Sequence, residues 1–194
     1  VRACFRLVEP QADEGEDDDR WRIEFALQAT DQPSLVVDAD RVWQAPGTLK
    51  VAGGTLTLAG ASSVTRLDQS AGTIAGAGEL TIGSGTWSGG VMGGTGTTKV
   101  TGTLTHTQNT ALNDTRVLAV EGTLEMAGAG RYINKSGNPV IRNTGTIKRT
   151  VAGVVELYPA VDNDGLIQGV ELEGGGSGST GDFEGVNLHA GTFE

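Results

Sequence analysis

Eight times between residues 47 and 193 the chain runs glycine, threonine, then a large apolar residue. The phrases are Gly47-Thr48-Leu49, Gly54-Thr55-Leu56, Gly72-Thr73-Ile74, Gly85-Thr86-Trp87, Gly102-Thr103-Leu104, Gly122-Thr123-Leu124, Gly145-Thr146-Ile147 and Gly191-Thr192-Phe193, with Gly165-Leu166-Ile167 as a degenerate member. Glycine lets the backbone turn without a Cβ penalty, threonine is β-branched and tolerates water, and the apolar residue beside it points the other way. From Gly102 to Gly122 to Gly145 to Gly165 the steps are about 20 residues, a period at which repetition means stacked coils. Hairpins would need turns every 8–12 residues or so and Asn-Gly or Asp-Gly loops, and only Asp164-Gly165 is of that kind. The expected fold is therefore all-β, a parallel β-helix. Each coil holds two or three short strands around a narrow apolar axis and climbs about 4.8 Å. Right-handed winding is expected from the rule for parallel crossovers.

Alternation assigns the core. Leu49, Val51, Leu56, Leu58, Leu67, Ile74, Leu80, Ile82, Val100, Leu104, Leu112, Leu118, Val120, Leu124, Met126, Ile133, Ile141, Ile147, Val155, Leu157, Ile167, Val170, Leu172, Val186 and Leu188 point inward. Asn113, Asn134, Asn143 and Asn163 stand where strands give way to turns, and are expected to satisfy turn backbone locally.

Residues 1–46 read differently. Val1–Val8 and Trp21–Ala29 alternate like strands on either side of a polar loop, which makes an antiparallel hairpin, and Ser34–Val37 is a third candidate. This segment holds five basic and eleven acidic residues, so it carries −6 of the net charge of −10. Open solenoid ends expose strand edges, and the hairpin is placed to cap the first coil with Phe5, Trp21, Phe25 and Trp43 as plugs. The domain reading is thus a cap over 1–46 and a solenoid over 47–194. Gly174–Gly181 reads as a flexible loop and Phe183–Glu194 resumes the repeat, so a solenoid truncated in mid-pattern is expected.

The net charge argues against duplex nucleic acid or an anionic membrane as a general partner. Cys4 is the sole cysteine, so no disulfide can form within the chain. No apolar run approaches the roughly 18 residues of a membrane span.

Two resemblances follow from these residues. Arg2-Ala3-Cys4-Phe5-Arg6-Leu7, Trp21–Ala29, Asp31-Gln32-Pro33-Ser34-Leu35 and Val42-Trp43 resemble an accessory segment upstream of the motor in bacterial helicases of the sucrose-non-fermenting type, which implies an ATP-driven DNA translocase and a cytoplasmic setting. No Gly-x-x-x-x-Gly-Lys-[Ser/Thr] phosphate loop follows, so ATP hydrolysis is not expected. From Gly47 onward, Thr86–Thr98, Asn143–Ile147 and Asp162–Ile167 are similar to the glycine- and threonine-rich β-helical repeats of bacterial surface and secreted proteins. That resemblance implies an extracellular or cell-surface setting, with glycans or host-surface molecules as partners. It does not decide activity, because adhesins, passenger domains and polysaccharide-degrading enzymes share the scaffold.

A glycan-cleaving site would need carboxylates converging about 5–10 Å apart. The candidates are Glu156, Asp162, Asp164, Glu171 and Glu173, with Arg142, Lys148 and Arg149 on a neighbouring coil and Trp87, Tyr132 and Tyr158 as scattered aromatics. Ordinary solubilising charge is the reading preferred for them, and no residue is assigned a catalytic, cofactor or metal role. The acidic run Asp13–Asp19 lacks the spacing of a calcium loop, and His106 and His189 lack that of a zinc site. Gly176-Ser177-Gly178 has no strand-turn-helix context for a nucleophile, and Gly93-Gly94-Thr95-Gly96 precedes no helix that could cradle phosphate. Threonine pairs such as Thr55/Thr57, Thr95/Thr97, Thr103/Thr105 and Thr105/Thr107 could form an outward array, but Lys50, Lys99, Glu125 and Lys148 interrupt it. The functional expectation is a non-catalytic structural or adhesive segment. A helicase fragment and a polysaccharide-active enzyme stand behind it.

Overall fold

A computed structural model of the protein describes residues 47–152 and 155–169 in full and, by strand pairing alone, residues 5–8, 22–25, 34–37, 43–46, 186–188 and 192–193. All regular structure there is β. In chain order the strands are β1 (Phe5–Val8), β2 (Arg22–Phe25), β3 (Ser34–Val37), β4 (Trp43–Leu58), β5 (Ser62–Ala75), β6 (Leu80–Trp87), β7 (Val91–Met92), β8 (Thr97–His106), β9 (Thr110–Asp114), β10 (Val117–Val120), β11 (Thr123–Met126), β12 (Arg131–Gly137), β13 (Val140–Asn143), β14 (Thr146–Arg149), β15 (Val155–Leu157), β16 (Ala160–Asn163), β17 (Leu166–Gln168), β18 (Val186–Leu188) and β19 (Thr192–Phe193). β1 and β2 form the expected antiparallel hairpin, with Phe5 opposite Phe25. The remaining strands form one parallel sheet wound on itself, a β-solenoid.

Three faces make up each coil. The first stacks Trp43–Ala45, Ser62–Val64, Leu80–Ile82 and Thr98–Val100 under β10, β13, β16 and β18. The second stacks Thr48–Val51, Arg66–Gln69, Ser84–Trp87 and Thr103–His106 under β11, β14, β17 and β19. The third runs from β3 through Thr55–Thr57, Thr73–Ile74, β7, β9 and β12 to β15. Parallel pairing thus begins at Ser34, upstream of residue 47 where the composition changes. Leu49, Leu67, Gly85, Leu104, Leu124, Ile147 and Ile167 stand above one another, so successive coils take 18, 18, 19, 20, 23 and 20 residues. About six coils climb roughly 29 Å between these ends, and β18 and β19 pair on a further rung.

The Gly-Thr-apolar phrase does two different jobs. On the third face its glycines adopt left-handed backbone, φ 67° at Gly54 and 72° at Gly72, where a side chain would be strained. On the second face the glycines stack at one corner instead. A Cβ on Gly122 would lie 2.1 Å from the carbonyl oxygen of Gly102, and one on Gly145 would lie 2.1 Å from that of Gly122. There the backbones are too close for any side chain. Gly85-Thr86-Trp87 is out of step with both sets, because Gly85 occupies the inward seat that Leu67 and Leu104 fill on adjacent rungs. The rung that houses the Trp87 indole is the one whose other inward seat on that face carries no side chain, which conserves packed volume.

Every residue assigned inward from Leu49 to Ile167 is at most 5% exposed. Burial of each such aliphatic side chain contributes about 1.5–3 kcal/mol. Val64, Met92, Trp87 and Val161 are buried as well. Val170 and Leu172 lie outside the described residues, as do the side chains of Val186, Leu188, Phe5, Trp21, Phe25 and Trp43.

Candidate functional site

Polar side chains occupy particular seats inside the solenoid. At the second inward position of the second face the order up the stack is Val51, Gln69, Trp87, His106, Met126. Gln69 Nε2 donates to the Val91 carbonyl at 3.1 Å. Trp87 meets His106 edge to face, with ring centroids 5.8 Å apart and planes at 76°. His106 Nε2 shares a hydrogen bond of 3.0 Å with Thr110 Oγ1. Burial pushes the imidazole pKa down to about 4, so the ring is neutral at neutral pH. Trp87 therefore does not join Tyr132 and Tyr158 as a surface aromatic, because the alternation that makes Thr86 outward sends its neighbour inward.

Arg116 is the second interior feature. It is fully buried, and all of its donor nitrogens are used. Nε and Nη2 donate to Thr98 Oγ1 at 3.0 Å each. Nη1 reaches the carbonyls of Gly93 at 3.1 Å and Gly76 at 3.4 Å, and Nη2 that of Thr97 at 3.3 Å. No carboxylate pairs with it among the described residues. Desolvation lowers its pKa to about 10, which leaves it charged at neutral pH. Asn143 and Asn163 form the third feature. They are buried one above the other, with Asn143 Nδ2 donating to Asn163 Oδ1 at 2.5 Å. Each also donates to a backbone carbonyl, Asn143 to that of Leu166 at the start of β17 and Asn163 to that of Gly165 in the turn before it, both at 3.1 Å. Of the four asparagines expected to serve turn backbone locally, Asn163 does so at Gly165, Asn143 bonds across rungs instead, and Asn134 lies within β12, where its Oδ1 accepts from the Lys135 N–H.

Outside, the candidate carboxylates do not gather into one site among the described residues. Asp162 lies above Arg142 with an N–O distance of 3.6 Å, and Glu125 below Lys148 at 3.9 Å. Glu156 accepts a 2.7 Å hydrogen bond from Tyr158. Asp164 is exposed on the turn after β16. Arg149 stacks on Met126. Tyr132 and Tyr158, 26 positions apart, meet edge to face at 6.0 Å. Glu171, Glu173, His189 and the run Asp13–Asp19 lie outside the described residues. No group of three His, Cys, Asp or Glu side chains suited to a metal occurs among the described residues. The outward threonine row Thr103, Thr123, Thr146 ends at Ser84 and Arg66 below and Leu166 above.

A cleft of about 350 Å³ lies on the lower second face. Lys50, Asp68 and Thr86 stack outward along it, with Arg66, Ser70 and Ser88 on its walls. Arg66 binds Asp68 at 2.8 Å and donates to Thr86 Oγ1 at 3.3 Å. Ser88 Oγ donates to the Gln69 carbonyl at 3.4 Å.

The fold defines the chain as a β-solenoid protein. Comparison with family models, with curated proteins and with solved structures gave no match.

Proposed function

We propose that the chain is a non-catalytic, structural or adhesive β-solenoid segment of a bacterial surface or secreted protein, acting as a stiff spacer that presents its flanks to glycans or other surface molecules. The observation that carries this reading is the stacked column of buried apolar side chains among the described residues from Leu49 to Ile167. A coil so filled has no hinge to open, and its stiffness follows from each rung packing on the next. Supporting it, several outward charges pair with one another, as in Lys99–Glu121 at 2.7 Å and Arg142–Asp162 at 3.6 Å. A glycan lyase or hydrolase instead needs its carboxylates aimed at one bond.

The test is direct. The protein is incubated with anionic polysaccharides, and separately with ATP and DNA, and release of unsaturated sugar or of phosphate is followed. Neither product is expected, and turnover in either assay would overturn the proposal.

A further inference from the structure

The cleft on the lower second face holds one cation with no acidic partner among the described residues. Several other cations of the described wall pair with carboxylates: Lys99 with Glu121, Lys148 with Glu125, Arg142 with Asp162. Inside the cleft Arg66 is likewise held by Asp68. Lys50 is exposed and stands one rung below Asp68, yet no carboxylate lies within 4.0 Å of its ammonium among the described residues. The cleft therefore carries a net charge of +1 on a chain whose net charge is −10.

Around that charge the walls offer hydroxyls and a paired donor and acceptor. Ser70, Thr86 and Ser88 present hydroxyl groups, and the Arg66–Asp68 pair presents guanidinium N–H groups beside carboxylate oxygens. The volume of about 350 Å³ falls at the lower end of the range in which small ligands are held. A ligand suited to this set bears one anionic group and several hydroxyls at rung-like spacing. No aromatic ring among the described residues lines the cleft, so the recognition they offer is polar.

We infer that the cleft binds an anionic sugar unit. Its carboxylate or sulfate faces Lys50, and its ring hydroxyls bond the Arg66–Asp68 pair and the serine and threonine hydroxyls. This deepens the adhesive reading of the chain and rests on it. A single polar site of this kind gains strength when copies engage one polymer.

The experiment titrates the isotope-labelled protein by NMR with four probes: a trisaccharide of uronate units, a sulfated trisaccharide, a neutral trisaccharide and acetate. Shifts of the Ser70 and Ser88 amides are expected with the uronate, the sulfated sugar or both, and which of them binds names the anion. Lys50→Gln, an exposed change that leaves the thermal midpoint unchanged, is expected to weaken that binding at least fivefold, and added salt to weaken it further. Equal shifts with the neutral trisaccharide, equal affinity for acetate, undiminished binding by Lys50→Gln, or no shift with either anionic sugar would each overturn the inference. Release of cleaved sugar from a bound polymer would instead sink the non-catalytic reading and leave the cleft assignment standing.

Discussion

The Arg116 Nε donates to Thr98 Oγ1 at 3.0 Å across one rung of the solenoid, with both side chains fully buried. Thr98 occupies a seat that is Leu80 on the rung below and Leu118 on the rung above. The guanidinium reaches down past Gly96 to the Gly76 carbonyl, so one side chain ties three coils. Arg116→Ala removes the donor to Thr98 Oγ1 and to the Gly93 carbonyl and opens a void, while the Gly76 carbonyl keeps its bond from the Gly96 N–H. It is expected to destabilise the fold by about 3 kcal/mol or more, and Thr98→Val by about 1–3 kcal/mol. The double variant is expected to cost less than the sum, because both changes remove the same bond. Urea unfolding of the four proteins checks this, and strict additivity would refute the coupling.

His106 sets an acid limb. Its folded pKa is about 4 against an ordinary 6.5. The unfolded chain therefore takes up a proton first as pH falls below about 6.5, while the folded ring stays neutral until about 4. Stability present above pH 6.5 is lost through this window, by on the order of 3 kcal/mol. His106→Met, which repeats the residue that Met126 places in the same seat one rung up, is expected to flatten this part of the stability–pH curve. Carboxylates titrate in both proteins, so the difference between the two curves is the measurement. Parallel curves would show that the imidazole does not contribute.

The glycine corner makes a graded prediction. Gly122→Ala puts a methyl 2.1 Å from the Gly102 carbonyl oxygen, whereas Gly47→Ala meets nothing within 4 Å. The first is expected to cost several kcal/mol and the second to lie within about 0.5 kcal/mol of the parent. Thermal midpoints of the two variants decide it.

The asparagine pair behaves differently from a pair of independent bonds. Asn143→Val leaves Asn163 Oδ1 short of its donor, and Asn163→Val leaves Asn143 Nδ2 with only the Leu166 carbonyl. Each single change is expected to cost about 1–3 kcal/mol. The double change is expected to recover part of that loss, since Val120 already fills the seat below. A double variant less stable than either single would refute the pairing.

Most of the architecture is legible in the sequence because it rests on periodicity. Glycine corners, outward threonines and inward aliphatics recur at fixed offsets, and the inward assignments from Leu49 to Ile167 follow from alternation alone. What alternation does not convey is chemistry inside the axis. Arg116, Gln69 and Thr98 are polar, and a polar residue in a repeat reads as a surface one until its partners on other coils are known. Trp87 is different: grouped with the scattered aromatics, it is sent inward by the same alternation that turns Thr86 outward, and the register shows that Gly85 leaves room for it. The cleft is equally hidden. Lys50, Asp68 and Thr86 are each 18 residues apart, and nothing local marks them as neighbours.

Stacked coils of nearly identical outline face a hazard of their own during folding: a strand can dock one storey too high at almost no loss of backbone pairing. The threonine awaiting its arginine and the two facing amides work as addresses against that error. A skipped storey would strand a bare cation among hydrocarbons, so only the correct order of floors closes without a penalty.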